Sequence, residues 1–250
     1  MLFVDALPTL LLLAFALLLL AWLSGQLSIR TQLVIYHLTG SLDLATVAIF
    51  LLLLPGVFVH ELSHWVTAKL LGLHPSRFRV WPKRHKHGLG LGSVHVRSGG
   101  TWRDSAVGMA PLIAGSILLA VVGSYVFAAD LLLSQLEQGR LIDVLGAFFD
   151  ALARPDGLVW AYALFVIGNS MMPSRSDRQP LRLLLIYVAL AALVYIVVGL
   201  PIDPITALLG WLIPAIQLLV GALLFVIILD VFVVAGLFLL EAILARLRGR

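Results

Sequence analysis

The chain has 250 residues, enough for one or two soluble domains, but 61% are hydrophobic and only 12% charged. Soluble domains run nearer 45–50% apolar and about 25% charged. That balance, with a mean hydropathy of +1.06, excludes a soluble enzyme and a disordered chain and predicts an integral membrane protein. Cysteine is absent, which excludes disulfides, thiolate metal sites and a cysteine nucleophile. The net charge of +4 does not make the chain a nucleic-acid binder, because its basic residues sort by position along the spans, as a topology signal does.

A spanning helix needs roughly 20 largely apolar residues. Six such segments are predicted, at about 6–24, 45–72, 106–129, 157–173, 183–200 and 210–245. The fold class expected is an all-α polytopic membrane protein of about six transmembrane helices with a small cytosolic-side β-hairpin or sheet. The first segment reads as a span and not a signal peptide, since Asp5 stands where a basic region belongs and the apolar run is long. The last segment is long for one span and can tilt or bend near Pro214.

The charges orient these spans. Lys69, the seven Lys and Arg of 73–103, Arg175, Arg178, Arg182, Arg246, Arg248 and Arg250 fall on one side of the six-span arrangement, leaving Arg30, Arg140 and Arg154 on the other. The positive-inside rule then puts both termini and the basic segments in the cytosol, against the anionic face of the bilayer.

The second span contains His60-Glu61-Leu62-Ser63-His64, an H-E-x-x-H sequence. Ionisable groups inside a span are costly and mark function by default. On a helix, residues i and i+4 share a face, so both imidazoles can reach one Zn²⁺ while the glutamate lies beside it as a general base. With seven His and three Glu in the chain, chance placement produces the pattern roughly 0.002 times. A catalytic zinc needs a third protein ligand. The candidates at the same depth are His85 and His87 in the basic loop, Glu241 near the end of the last span, and Asp177 after the fourth. Asp177 has a bland alternative as a solvated loop carboxylate beside Arg175 or Arg178. Asn169, the only asparagine, lies inside the fourth span. It can bind a substrate backbone or bond between helices. Asp230 and Glu241, eleven residues apart, share a helix face that packs on the core or on another subunit.

An H-E-x-x-H in a transmembrane helix, a basic strand-rich segment, and an Asn-Pro-Asp motif resemble the site-2 protease family of intramembrane zinc metalloproteases. The resemblance covers roughly residues 45–200. It implies His60, His64 and Asp177 as zinc ligands and Glu61 as the base. Asn169 and Asp177 keep the family's eight-residue spacing, whereas Pro173 stands one place late and Arg178 replaces a glycine. The family's Ala-Gly-Pro motif is at best Ala110-Pro111. The expected organisation is a single membrane-embedded domain, 1–250, with a catalytic core at 45–200. That core holds the H-E-x-x-H helix, the strand-rich segment 73–104, helix 106–129 and helix 157–173 with its Asp177 motif. Residues 1–44 and 201–250 supply flanking spans.

Residues 76–81 and 92–98 alternate polar and apolar as strands do, with a basic, glycine-containing turn between them. A protease binds its substrate extended, and an exposed strand edge can capture an unwound segment. Ser93, Val94, His95 and Val96 are therefore the expected substrate-facing strand, and a covering hairpin is the alternative. The expected activity is zinc-dependent hydrolysis of a peptide bond in or near a transmembrane segment of a membrane-protein substrate. Because ligation needs neutral imidazoles, activity is expected to fall at acid pH. Two other readings remain: an H-E-x-x-H peptidase with Glu241 as third ligand, and a non-catalytic zinc-binding or transport protein. Neither the substrate nor the oligomeric state is legible.

Overall fold

The structure of the protein, a computed structural model, describes residues 2–75, 83–85, 88–90, 98–127, 129–201 and 203–248. Eight helices account for most of them: α1 (Leu2–Thr39), α2 (Leu42–Leu70), α3 (Thr101–Phe127), α4 (Ala129–Glu137), α5 (Leu141–Leu152), α6 (Gly157–Ser170), α7 (Arg175–Val197) and α8 (Asp203–Arg248). Two three-residue strands, β1 (Lys83–His85) and β2 (Gly88–Gly90), pair antiparallel with Arg84 opposite Leu89. This short pair is not the hairpin expected between 76–81 and 92–98. Those segments, with Ser93, Val94, His95 and Val96, lie outside the described residues except for Ser98.

Four helices are long and apolar enough to cross a membrane: α1, α2, α3 and α8. The bent pair α5–α6, which turns by 110°, raises the number to at most five. Six spans were expected, and two local features account for the difference. The expected span at 157–173 is only the 14-residue α6, shorter than a full crossing, and reaches span length only together with α5. The break between them follows from Pro155, which disfavours helical backbone at Arg154, and from Gly157, where an added Cβ would lie 2.5 Å from the Ala151 carbonyl. The expected span at 183–200 falls in α7, a 23-residue helix whose first turns carry Arg175, Asp177, Arg178 and Arg182 and whose described apolar stretch is Leu185–Val197. The final stretch, by contrast, is one helix of 46 residues, about 69 Å long, running through Pro214.

Apolar side chains on α1 sort by helical period. Leu7, Leu11, Phe15, Leu18 and Trp22 are exposed, while Ala16, Leu20, Leu23 and Leu27 are buried against the bundle. An exposed stripe of this kind suits hydrocarbon, not water. The main core joins α1, α3, α4, α5, α6 and α8, with Phe127 stacked on Phe225 at 4.3 Å and Phe148 beside the same ring. Between α1 and α2 the chain reverses at Gly40, whose φ of +72° is a left-handed conformation open to glycine. Its N–H caps the Tyr36 carbonyl at 2.8 Å.

Two pairs of helices run parallel. On α2 and α6, Leu52 meets Tyr162, Gly56 meets Val166, and His60 meets Ser170. On α1 and α8, Ser24 and Asp230 are linked through Asn169, and Arg30 meets Glu241 at 2.6 Å. The six-span arrangement gives α1 and α8 opposite directions and puts Arg30 and Glu241 on opposite faces. The ion pair instead sets these two residues, and the helices that carry them, side by side. It also shows what the shared face of Asp230 and Glu241 does: it packs on α1 and α6.

Candidate metal centre

α2 carries His60, Glu61 and His64 where it packs between α3 and α6. Glu61 and His64 are buried, and His60 keeps slight exposure. The close fit with α6 depends on Gly56, one turn before His60, because an added Cβ there would overlap the Val166 carbonyl. Asp177 arrives from the first turn of α7. An added Cβ on Gly108 of α3 would lie 2.7 Å from the Asp177 carbonyl oxygen, so that glycine lets α3 and α7 approach closely enough to bring the carboxylate in.

Each histidine is held at Nδ1 by a backbone carbonyl. His60 Nδ1 lies 2.7 Å from Ser170 O and His64 Nδ1 lies 2.8 Å from Val107 O. A carbonyl only accepts, so both Nδ1 atoms carry the proton and both Nε2 atoms present lone pairs. The two carbonyls are available for a reason. Ser170 ends α6, where carbonyls lack intrahelical donors. Val107 lies four residues before Pro111, which has no N–H to give it. Pro111→Ala would restore a competing donor. It is expected to weaken zinc affinity about 10–100-fold, the usual cost of losing an outer hydrogen bond to a ligand histidine, in a competition titration with a chelating dye. Unchanged affinity would remove Pro111 from this account.

The two Nε2 atoms face each other at 3.2 Å. Asp177 Oδ1 lies 3.4 Å from His64 Nε2, and Oδ2 lies 3.8 Å from His60 Nε2. Lone pairs facing one another repel unless a cation lies between them. Nitrogens bound to one tetrahedral zinc at about 2.0–2.1 Å stand about 3.3 Å apart. The donor types and separations therefore fit a zinc ion. Among the described residues, this is the one group of three such side chains able to hold a metal. The three side chains are 10–13% exposed, so the centre is screened from bulk solvent but not sealed.

Asp177 is oriented by its own helix. Ser174 N–H donates to its Oδ2 at 2.8 Å, and the Asp177 N–H donates to Ser174 Oγ at 3.4 Å. This is a reciprocal capping box. The Ser174-x-x-Asp177 spacing was legible in the sequence and places Asp177 on a helix start, whereas the expectation was a loop after the fourth span.

The other candidates lie elsewhere. Glu241 is bound to Arg30, whose guanidinium also stacks over Phe238 at 4.9 Å. His85 is in β1, and His87 lies outside the described residues. Asn169 does not face an open site: its Oδ1 accepts from Ser24 Oγ at 2.6 Å, and its Nδ2 donates to Phe165 O and Asp230 Oδ1, both at 2.9 Å. Those bonds commit the amide to contacts between helices, which was the alternative to substrate binding. Val107, Pro111, Gly108 and Ser174 were not anticipated. Of these, only the proline in an apolar helix and the capping spacing leave a sequence signal.

Comparison with protein families, curated proteins and solved structures finds no match.

Proposed function

We propose that the chain is an intramembrane zinc endopeptidase that hydrolyses a peptide bond in or near a transmembrane segment of another protein. One observation carries the reading: two Nε2 lone pairs and the Asp177 carboxylate converge within 4.8 Å, beside a buried glutamate in the i+1 position. His60, His64 and Asp177 would hold the zinc. When bound there, zinc supplies Lewis acidity for a peptide carbonyl and for water.

Glu61 then acts as general base and acid. It removes a proton from the attacking water and returns it to the leaving amine, so that each new bond is matched by one proton moved. The Ser170 and Val107 carbonyls keep the imidazoles in the liganding tautomer. The slight exposure of the three side chains lets water reach the centre while excluding most bulk solvent. The likeness of His60-Glu61-x-x-His64 and Asn169…Asp177 to site-2 proteases supports the same reading. Glu241, tied to Arg30, gives the alternative ligand set no support.

The topology that fits has five spans: α1, α2, α3, the bent α5–α6 pair and α8. Parallel α1 and α8 then put the two termini on opposite faces. The site lies in the half of α2 that leads into the basic segment 73–103, and the positive-inside rule makes that face, with the N-terminus, cytosolic.

The test is cleavage of a reconstituted transmembrane substrate in liposomes. Chelation is expected to abolish cleavage and added zinc to restore it. Cleavage that persists after zinc is stripped overturns the proposal, and metal flux without any hydrolysis favours a transporter instead.

A further inference from the structure

We propose that Asp230 of α8, outside the core at 45–200, is a positioning residue for the metal centre, acting through Asn169 on the Ser170 carbonyl. This rests on the zinc-peptidase reading. Asp230 is 0% exposed and sits among Val226, Ile227, Phe225 and Leu223, all buried. Burying a carboxyl group in such surroundings costs free energy where an apolar side chain of the same size would gain it, and packing alone gives no reason for it. Its Oδ1 accepts from Asn169 Nδ2 at 2.9 Å, and its Oδ2 has no hydrogen-bond partner among the described residues.

Asn169 is one peptide unit from Ser170, the last residue of α6. The Ser170 carbonyl is the group that holds His60 Nδ1 at 2.7 Å. A helix end has few hydrogen bonds of its own to fix its rotation. Here Asn169 is fixed from two sides, by Ser24 of α1 and Asp230 of α8, and α6 touches α8 closely at this level: an added Cβ on Gly168 would lie 2.9 Å from Val226. Removing the acceptor at 230 leaves the amide held only by Ser24 of α1 and by the Phe165 carbonyl of its own helix, with no tie to α8. The last turn of α6, with the carbonyl that orients His60, then loses that anchor. The flanking helices α1 and α8 therefore help set the tautomer and angle of a metal ligand carried by α2.

The test uses the full chain in nanodiscs, with zinc affinity measured by dye competition and the ligand-field spectrum of bound Co²⁺ as a geometric readout. Asp230→Leu is expected to weaken zinc affinity about tenfold or more and to shift the Co²⁺ spectrum. Asp230→Asn, which keeps an acceptor oxygen, is expected to rescue both to within about twofold of wild type. Glu241→Gln, which disturbs the same helix pair without reaching Asn169, is expected to lower thermal stability and leave both metal readouts unchanged. Wild-type affinity and spectrum in a folded Asp230→Leu protein overturn the proposal, as does an equal effect from Glu241→Gln. If Asp230→Leu does not fold, Ser24→Ala removes the other anchor of Asn169. A shifted Co²⁺ spectrum in that variant supports the proposal, and an unshifted one overturns it. Failure of the wild-type protein to bind zinc overturns the underlying zinc reading as well, and is distinguished by the absence of any metal signal to perturb.

Discussion

Glu61→Gln is expected to lower turnover of a transmembrane substrate by about 10²–10⁴-fold while the protein keeps its full zinc content. The amide has the shape of the carboxylate but cannot accept the proton that water must lose. Glu61 is not one of the three side chains whose ligand atoms converge, so its loss should leave the metal bound. The paired measurement is single-turnover cleavage in liposomes with zinc quantified by mass spectrometry on the same sample. A wild-type rate in the Gln variant removes the mechanism. Loss of zinc along with activity makes Glu61 a ligand and not a base.

Asp177→Ala is expected to cost more than 100-fold in zinc affinity, beyond the roughly 10–100-fold typical of outer hydrogen bonds, because it deletes one of three ligand groups. Glu241→Ala serves as the contrast. It leaves Arg30 without its 2.6 Å partner and is expected to cost about 1–3 kcal/mol of stability, as for a charge-assisted hydrogen bond, with zinc affinity unchanged. Equilibrium zinc titration and thermal unfolding separate the two effects. If zinc affinity followed Glu241 and not Asp177, the centre would have to be rebuilt around α8, and the parallel packing of α1 and α8 would be wrong with it. The two variants therefore test the metal centre and the bundle topology together.

The candidate site was largely legible from residue types. His60, Glu61 and His64 lie within five consecutive positions on one helix, and an apolar background makes each ionisable group conspicuous. Asp177 needed more: its spacing from Asn169 suggested it, but only folding brings a residue 113 positions after His64 to 3.4 Å from that imidazole. The carbonyl partners were not legible, because a backbone acceptor has no residue type. Pro111 was the one trace, since a missing N–H at 111 frees a carbonyl at 107.

Composition by itself determined that the chain is membrane-type and helical, because long runs without charges can satisfy their backbone in hydrocarbon only as helices. Local spacing determined that His60 and His64 share a face, because the 3.6-residue period fixes which side chains lie together. Which helices reach spanning length, and which run parallel, were decided only by tertiary structure. α6 is apolar yet only 14 residues long, and whether two helices run parallel depends on which side chains pair across them. Arg30 meets Glu241 211 positions away, and Asn169 meets Ser24 and Asp230, 145 and 61 positions away; no local pattern encodes these meetings.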